Sequence, residues 1–96
     1  MPDVISDELV ERLREQIENE MAGVRITDFR AKSDNDHDGD LILRLQIAYD
    51  ADGAAPGPVQ VSSLARHIRR FLEPQLPNTF PVFRFLTDRE LADEAQ

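Results

Sequence analysis

The chain has 96 residues, of which 41% are apolar, and a formal net charge of −8. This length fits one domain with its own core; we expect a single domain over residues 1–96, ordered at about 6–92. The chain has no cysteine, which excludes disulfides and thiolate metal sites. Its longest aliphatic run falls far short of the roughly 20 residues of a membrane span, and acidic surface repels phosphate and anionic lipid. The sequence therefore predicts a cytoplasmic protein for which membranes and nucleic acid are disfavoured partners.

A first helix is predicted from Ser6, which is a suitable N-cap residue. Its apolar stripe, at helical spacing, consists of Leu9, Val10, Leu13, Ile17 and Met21. Gly23 follows the last of these residues and predicts the end of the helix. The opposite side carries an acidic ridge, a weaker candidate for docking, formed by Glu11, Glu15 and Glu18.

Two strands are predicted to follow the first helix. In the first, Val24 to Ala31, the apolar alternation slips because Phe29 has the wrong parity. A bulge near Thr27–Asp28 returns Phe29 to the core, and without one Phe29 points away; both alternatives stay open. The second, Leu41 to Tyr49, alternates strictly with a period of two, which is difficult to interpret as a helix.

A second helix is predicted to begin between Val59 and Ser63 and to end before Pro74. Phe80 to Leu86 has the character of a third strand, and Pro81 near its start indicates an edge position or a strand end. Thr87 to Glu90 forms a capping box that opens a short last helix.

The order helix, strand, strand, helix, strand, helix predicts an α+β two-layer sandwich. We expect a three-stranded sheet with two helices on one face, an antiparallel first pair of strands, and a crossover to the third strand. The other face then stays open. By parity, it carries Arg25, Ile42, Arg44, Gln46, Val82, Arg84 and Leu86.

Mixed arginine and aliphatic surface of this kind is typical of protein interfaces, although a solvated sheet face is the simpler interpretation. Two-fold dimers are the commonest soluble oligomers. The sequence therefore predicts a small non-catalytic interaction module that docks a second copy of itself, or an unidentified protein, through the open face.

Residues 34–40 resemble the opening of an EF-hand calcium loop, with oxygen ligands at positions one, three and five and Gly39 at six. Position twelve is Leu45 instead of the usual glutamate, and a polar hairpin turn explains the same composition. A divalent-cation protein is the alternative function, and no cofactor other than calcium is expected. The candidate ligands are Asp34, Asp36, Asp38 and Asp40.

The polar side of the second helix carries a basic patch that includes Arg66 and Arg70. Together with the acidic ridge of the first helix, it is a secondary charged face, although a solvated helix surface explains it better. Ser63 and His67 are four residues apart on this helix, but no orienting acid can be identified in the sequence. We therefore predict no enzymatic activity.

A small nucleic-acid-binding α+β domain is the third interpretation. Phe80, Phe83 and Phe85 could stack on bases, and the topology broadly resembles that of KH-type modules. The Gly-x-x-Gly loop of those modules is absent, because Gly53 and Gly57 are four residues apart in a loop rich in alanine and proline. Core packing explains Phe83 and Phe85 better.

Overall fold

The computed structural model describes residues 6–94. Its elements are α1 (Asp7–Glu20), β1 (Ile26–Asn35), β2 (Leu41–Tyr49), α2 (Pro58–Leu72), β3 (Phe80–Thr87) and α3 (Asp88–Glu94). The sheet has the order β1-β2-β3, in which β1 is antiparallel and β3 parallel to β2. This is the predicted small α+β fold, and β3 is an edge strand. Within residues 6–94, no helix combines the length and the apolar character that a bilayer crossing requires.

Local signals set the ends of the two long helices. The Ser6 hydroxyl accepts a hydrogen bond from the Leu9 N–H at 3.1 Å, which caps α1 as predicted. Gly23 has a φ of 87°, the left-handed conformation that glycine adopts without strain, and the chain leaves the helix there. α2 begins at Pro58, earlier than predicted, because proline is favoured in the first helical turn.

α1 and α2 cover one face of the sheet and enclose the core between helices and strands. The core residues are Leu9, Leu13, Ile17, Met21, Leu43, Leu45, Ile47, Leu64, Ile68 and Leu72. Each is at most 6% exposed, so each aliphatic side chain stabilises the fold by roughly 1.5–3 kcal/mol relative to an exposed one.

A bulge at the start of β1 determines the orientation of that strand. The pairing register with β2 shifts between Ile26 and Asp28. Phe29 consequently packs against the core, which decides between the two predicted alternatives in favour of the bulge. The same shift places Arg30 and Lys32 on the opposite face of the sheet, beside β2.

α3 lies on that opposite face, so the expectation of a wholly open face is wrong. It contacts both β2 and β3. Ala48 and Leu86 are neighbours across these strands and are 1% and 3% exposed, although neither belongs to the main core. Leu86 is therefore not part of an exposed interface, because the helix that directly follows β3 packs back over it.

Candidate functional site

The candidate docking surface is the part of this face beside Ala48 and Leu86, and α3 reaches only its edge, where Leu91 and Glu94 meet it. Lys32 of β1 is paired with Arg44 of β2, and Gln46 of β2 is paired with Arg84 of β3. Gln46 lines several shallow depressions along this surface. We call its outward side chains the open strip: Arg30, Lys32, Ile42, Arg44, Gln46, Val82 and Arg84.

Five of the seven predicted interface residues lie in the open strip, and Leu86 and Arg25 do not. Arg25 precedes β1, and its guanidinium is 3.9 Å from the carboxylate of Asp50. Asp50 lies six residues beyond Arg44, which corresponds to roughly 20 Å along a strand. The expectation that Arg25 lies beside Arg44 and Arg84 is therefore wrong. Arg30 and Lys32 occupy that region instead, and the parity slip at Phe29 was the sequence signal for them.

Carboxylates accompany most of the cations of the open strip. Arg44 Nε is 3.2 Å from the Asp34 carboxylate, and Arg30 Nε is 3.1 Å from that of Asp28. Arg84 donates to both carboxylate oxygens of Glu94 and to the Gln46 side-chain oxygen. Among residues 6–94, Lys32 forms no ion pair within 4.0 Å. The strip is therefore close to neutral, in contrast to the strongly acidic chain as a whole.

Two of these groups have pKa values displaced by their contacts. The Asn35 backbone N–H, which donates to Asp34 at 2.8 Å, and the guanidinium of Arg44 lower the pKa of the Asp34 carboxyl. The hydrogen bonds and the charge attraction between Arg84 and Glu94 raise the pKa of Arg84. Both contacts hold the charged forms and orient the two guanidinium groups across the strip.

The open strip has an apolar end next to its charged centre. Val82 is 41% exposed, and Ile42 of the neighbouring strand is half-buried. Phe83 and Phe85 face the helices, where their rings stack with centroids 6.4 Å apart. The prediction that they pack in the core is confirmed, and they offer no aromatic platform on the open strip.

The Asp-rich segment forms the tight turn between β1 and β2. The Asp36 carboxylate accepts hydrogen bonds from the N–H groups of Asp38 and Asp40, each at 2.9 Å. Carboxylate oxygens of these three residues lie within 4.8 Å of one another. Asp34 is not among them, and its carboxylate accepts a hydrogen bond from Arg44 instead. Three of the four predicted ligands are thus brought together.

Ser63 and His67 both contact a single carboxylate of α1. The Ser63 hydroxyl donates to Glu20 at 3.1 Å, and His67 Nδ1 contacts the other oxygen of Glu20. A nucleophilic serine would instead donate to the histidine that removes its proton. The arrangement ties α2 to the end of α1.

The secondary charged faces lie away from the open strip, on the helices. Their members are all exposed to solvent: Glu11, Glu15, Glu18, Arg66 and Arg70. Glu18 forms an exposed helical ion pair with Arg14 at 3.5 Å, a type of contact that contributes little to stability.

Comparison with known proteins yields a likeness of fold. No family model matches the chain, and no curated protein matches it. The chain is similar to a solved structure of a putative zinc transporter, CzrB, in its zinc form, with a TM-score of 0.51. The match covers 94% of this chain and 97% of the other at 18% sequence identity, so it shows a shared arrangement of elements.

Proposed function

We propose that this chain is a non-catalytic protein-interaction module that forms a homodimer through the open strip. One observation carries the proposal: a nearly neutral surface of arginines and aliphatic side chains on an otherwise acidic molecule. Ser63 and His67 each contact the carboxylate of Glu20 and not one another, unlike a nucleophilic serine and its base. This arrangement supports the proposal that the module is not an enzyme.

Charge favours a second copy as the occupant of the open strip. Two molecules that each carry a net charge of −8 repel one another across most of their surfaces. In the strip, four cations are accompanied by the carboxylates of Asp28, Asp34 and Glu94, so this repulsion is weakest there. A two-fold contact places the same strip on both sides of the interface, so each copy offers both carboxylates and cations to the other.

The side-chain chemistry of the strip also suits a protein contact. Arginine offers an apolar stem and a fork of donors, and exposed aliphatic residues such as Val82 adjoin these stems. Lys32, which lacks an ion pair within residues 6–94, is available to a carboxylate across the interface. The strip covers only part of one sheet face, so we expect an interface at the small end of the usual size range.

Size-exclusion chromatography with light scattering tests the homodimer. At about 100 μM, we expect the wild type to elute as a dimer, because a specific interface, even at the small end of the standard size range, should have a dissociation constant below this concentration. Arg44→Glu should give a monomer. Arg70→Glu makes the same charge change on α2, outside the strip, and should remain dimeric. A monomeric wild type, or a dimer unaffected by Arg44→Glu, contradicts the proposal.

A nucleic-acid-binding function is a separate outcome of the same variants. A labelled single-stranded oligonucleotide should not bind the wild type at about 100 μM and about 0.15 M salt, because the acidic molecule repels phosphates. Binding that Arg44→Glu abolishes and Arg70→Glu preserves would assign the strip to nucleic acid instead.

A divalent-cation site is the second candidate, and the proximity of the three carboxylates in the turn favours it. Calcium is the first cation to test and zinc the second, because the similar structure named above is in a zinc form. About 1 mM of the bound cation should raise the melting temperature by mass action. Asp38→Asn should abolish the shift, and Asp52→Asn, in another loop, should preserve it. An unchanged melting temperature with both cations excludes this function.

A further inference from the structure

One segment of this chain already occupies the end of the sheet face beside the open strip. α3 covers Ala48 and Leu86, and its Leu91 is half-buried beside Arg30 and Gln46. Three residues further along the helix, the Glu94 carboxylate binds the guanidinium of Arg84. An aliphatic residue and a carboxylate, one helical turn apart, thus fit an apolar floor bordered by arginines.

The attachment of α3 is weak enough for exchange. A helix of seven residues is far too short to be stable by itself, so α3 depends on its contacts with the rest of the chain. Its ion pairs, Arg84–Glu94 and Arg89–Asp52, are exposed. Such pairs are worth little each in water. The carboxylate of Asp88 adds a hydrogen bond from the Ala51 N–H at 3.0 Å.

We infer that the sheet surface under α3 is a recognition site for an acidic amphipathic helical turn of a partner protein, which binds there in exchange with α3. The matching segment carries an aliphatic residue and, three positions later, a glutamate, as α3 does with Leu91 and Glu94. Charge complementarity supports this occupant, because Arg84 and Arg30 border the apolar floor. The site shares Arg30 and Arg84 with the open strip, but its apolar floor, Ala48 and Leu86, lies outside the strip. The inference therefore does not require the homodimer.

A capped peptide with the sequence of residues 87–94 tests the site in the full-length chain. We expect it to bind with a dissociation constant of about 1 mM or weaker, since tethered α3 competes at a comparable effective concentration. Heteronuclear NMR spectra should report the binding at Ala48, Leu86 and the Arg84 side chain. A peptide that carries glutamine in place of Glu94 should bind about three- to five-fold more weakly, because it loses one exposed ion pair. A peptide that carries aspartate in place of Leu91 should not bind, because it places a charge on the apolar floor.

Two variants separate recognition from simple exposure of the surface. Glu94→Gln weakens the internal occupant and keeps Arg84, so it should bind the wild-type peptide about three- to five-fold more tightly. Arg84→Gln releases α3 equally but removes the partner of the glutamate, and it should bind no better than the wild type. Both variants should show faster amide exchange in α3, which confirms the release.

Equal gains in peptide affinity for the two variants, or no binding to either at about 5 mM peptide, overturn the inference. Arg44→Glu should leave peptide binding unchanged, because Arg44 lies outside the surface under α3. A monomeric wild type in light scattering would therefore contradict the homodimer and not the peptide site. Absence of peptide binding would contradict the peptide site and not the homodimer.

Discussion

Two carboxylates show how single residues of this chain are held in their charged forms. Glu90 accepts from the Thr87 N–H at 3.0 Å, while its own N–H donates to the Thr87 hydroxyl at 3.1 Å. This reciprocal pair is the predicted capping box at the start of α3. The Thr87 N–H, and then the Thr87 hydroxyl, lower the pKa of Glu90, as Asn35 and Arg44 lower that of Asp34.

These two shifts predict how stability depends on pH. A carboxyl whose pKa is lower in the folded than in the unfolded state stabilises the fold above its unfolded pKa, and this stabilisation is lost as the pH falls through the folded pKa. We therefore expect the free energy of unfolding to decrease below about pH 4.5. The variant Asp34→Asn/Glu90→Gln should show a shallower decrease in urea titrations between about pH 3 and pH 7.

Glu11→Gln is the control for this pH dependence. Glu11 is an exposed residue of α1. Its substitution by glutamine removes a carboxylate charge, as the other variant does, but at a side chain that accepts no hydrogen bond from a backbone N–H within residues 6–94. Its acid-induced loss of stability should parallel that of the wild type. An equally shallow curve for Glu11→Gln would show that overall charge, and not the two hydrogen-bonded carboxyls, governs the acid response.

At the scale of elements, the orientation of β1 depends on one bulge. Phe29 packs on the core only because the register shifts between Ile26 and Asp28. Truncation of Phe29 to alanine should therefore destabilise the protein by about 2 kcal/mol. This loss is smaller than that for a fully buried phenylalanine, because Phe29 is half-buried. Val59→Ala removes an apolar side chain that is 82% exposed and should change the stability by less than about 0.5 kcal/mol.

Urea unfolding of Phe29→Ala and Val59→Ala at neutral pH measures both values. Similar small effects would mean that Phe29 faces solvent and that β1 pairs without the bulge. The open strip would then lose Arg30 and Lys32, because the unshifted register turns them to the helix side.

The elements differ in how far their sequences determined them. For β2, the side that each residue faces was predictable, because its strict period of two allows only one set of side chains to face the core. For β1, the sequence left two registers of similar merit, and packing of the whole sheet selects between them. The start of α3 was predictable from its capping box. The sheet face on which α3 packs was not predictable, since a single apolar residue, Leu91, does not define an apolar stripe. Leu86 was misplaced because the position of α3 was not predictable, and Arg25 because parity assigns a residue to a face and not to a position along the strand.

At the scale of the whole molecule, the distribution of charge is as informative as the net value. The sequence gives a formal charge of −8, which taken alone argues against self-association. Only the paired strands reveal that four cations from β1, β2 and β3 gather on one face, because they are distant in sequence: Arg30, Lys32, Arg44 and Arg84. The candidate site is thus a product of the topology.

This distribution predicts the response of the homodimer to salt. Each copy repels the other through its acidic remainder, while the contact across the open strip is nearly neutral. Raising the salt from about 10 mM to about 150 mM shortens the screening length from about 30 Å to about 8 Å, below the molecular radius of gyration of 13.6 Å. We therefore expect salt to tighten the dimer by at least about ten-fold in sedimentation equilibrium.

A dimer that weakens with salt would indicate a different contact, since salt weakens attraction between the cations of the open strip and an acidic surface of the second copy. Neutralising the acidic ridge with Glu11→Gln, Glu15→Gln and Glu18→Gln supplies the matched test. This variant should dimerise more tightly than the wild type at about 10 mM salt and equally at about 150 mM, because the ridge lies outside the strip and acts only through long-range repulsion. A dimer that weakens with salt, or one that the ridge does not affect, is incompatible with self-association through a neutral strip.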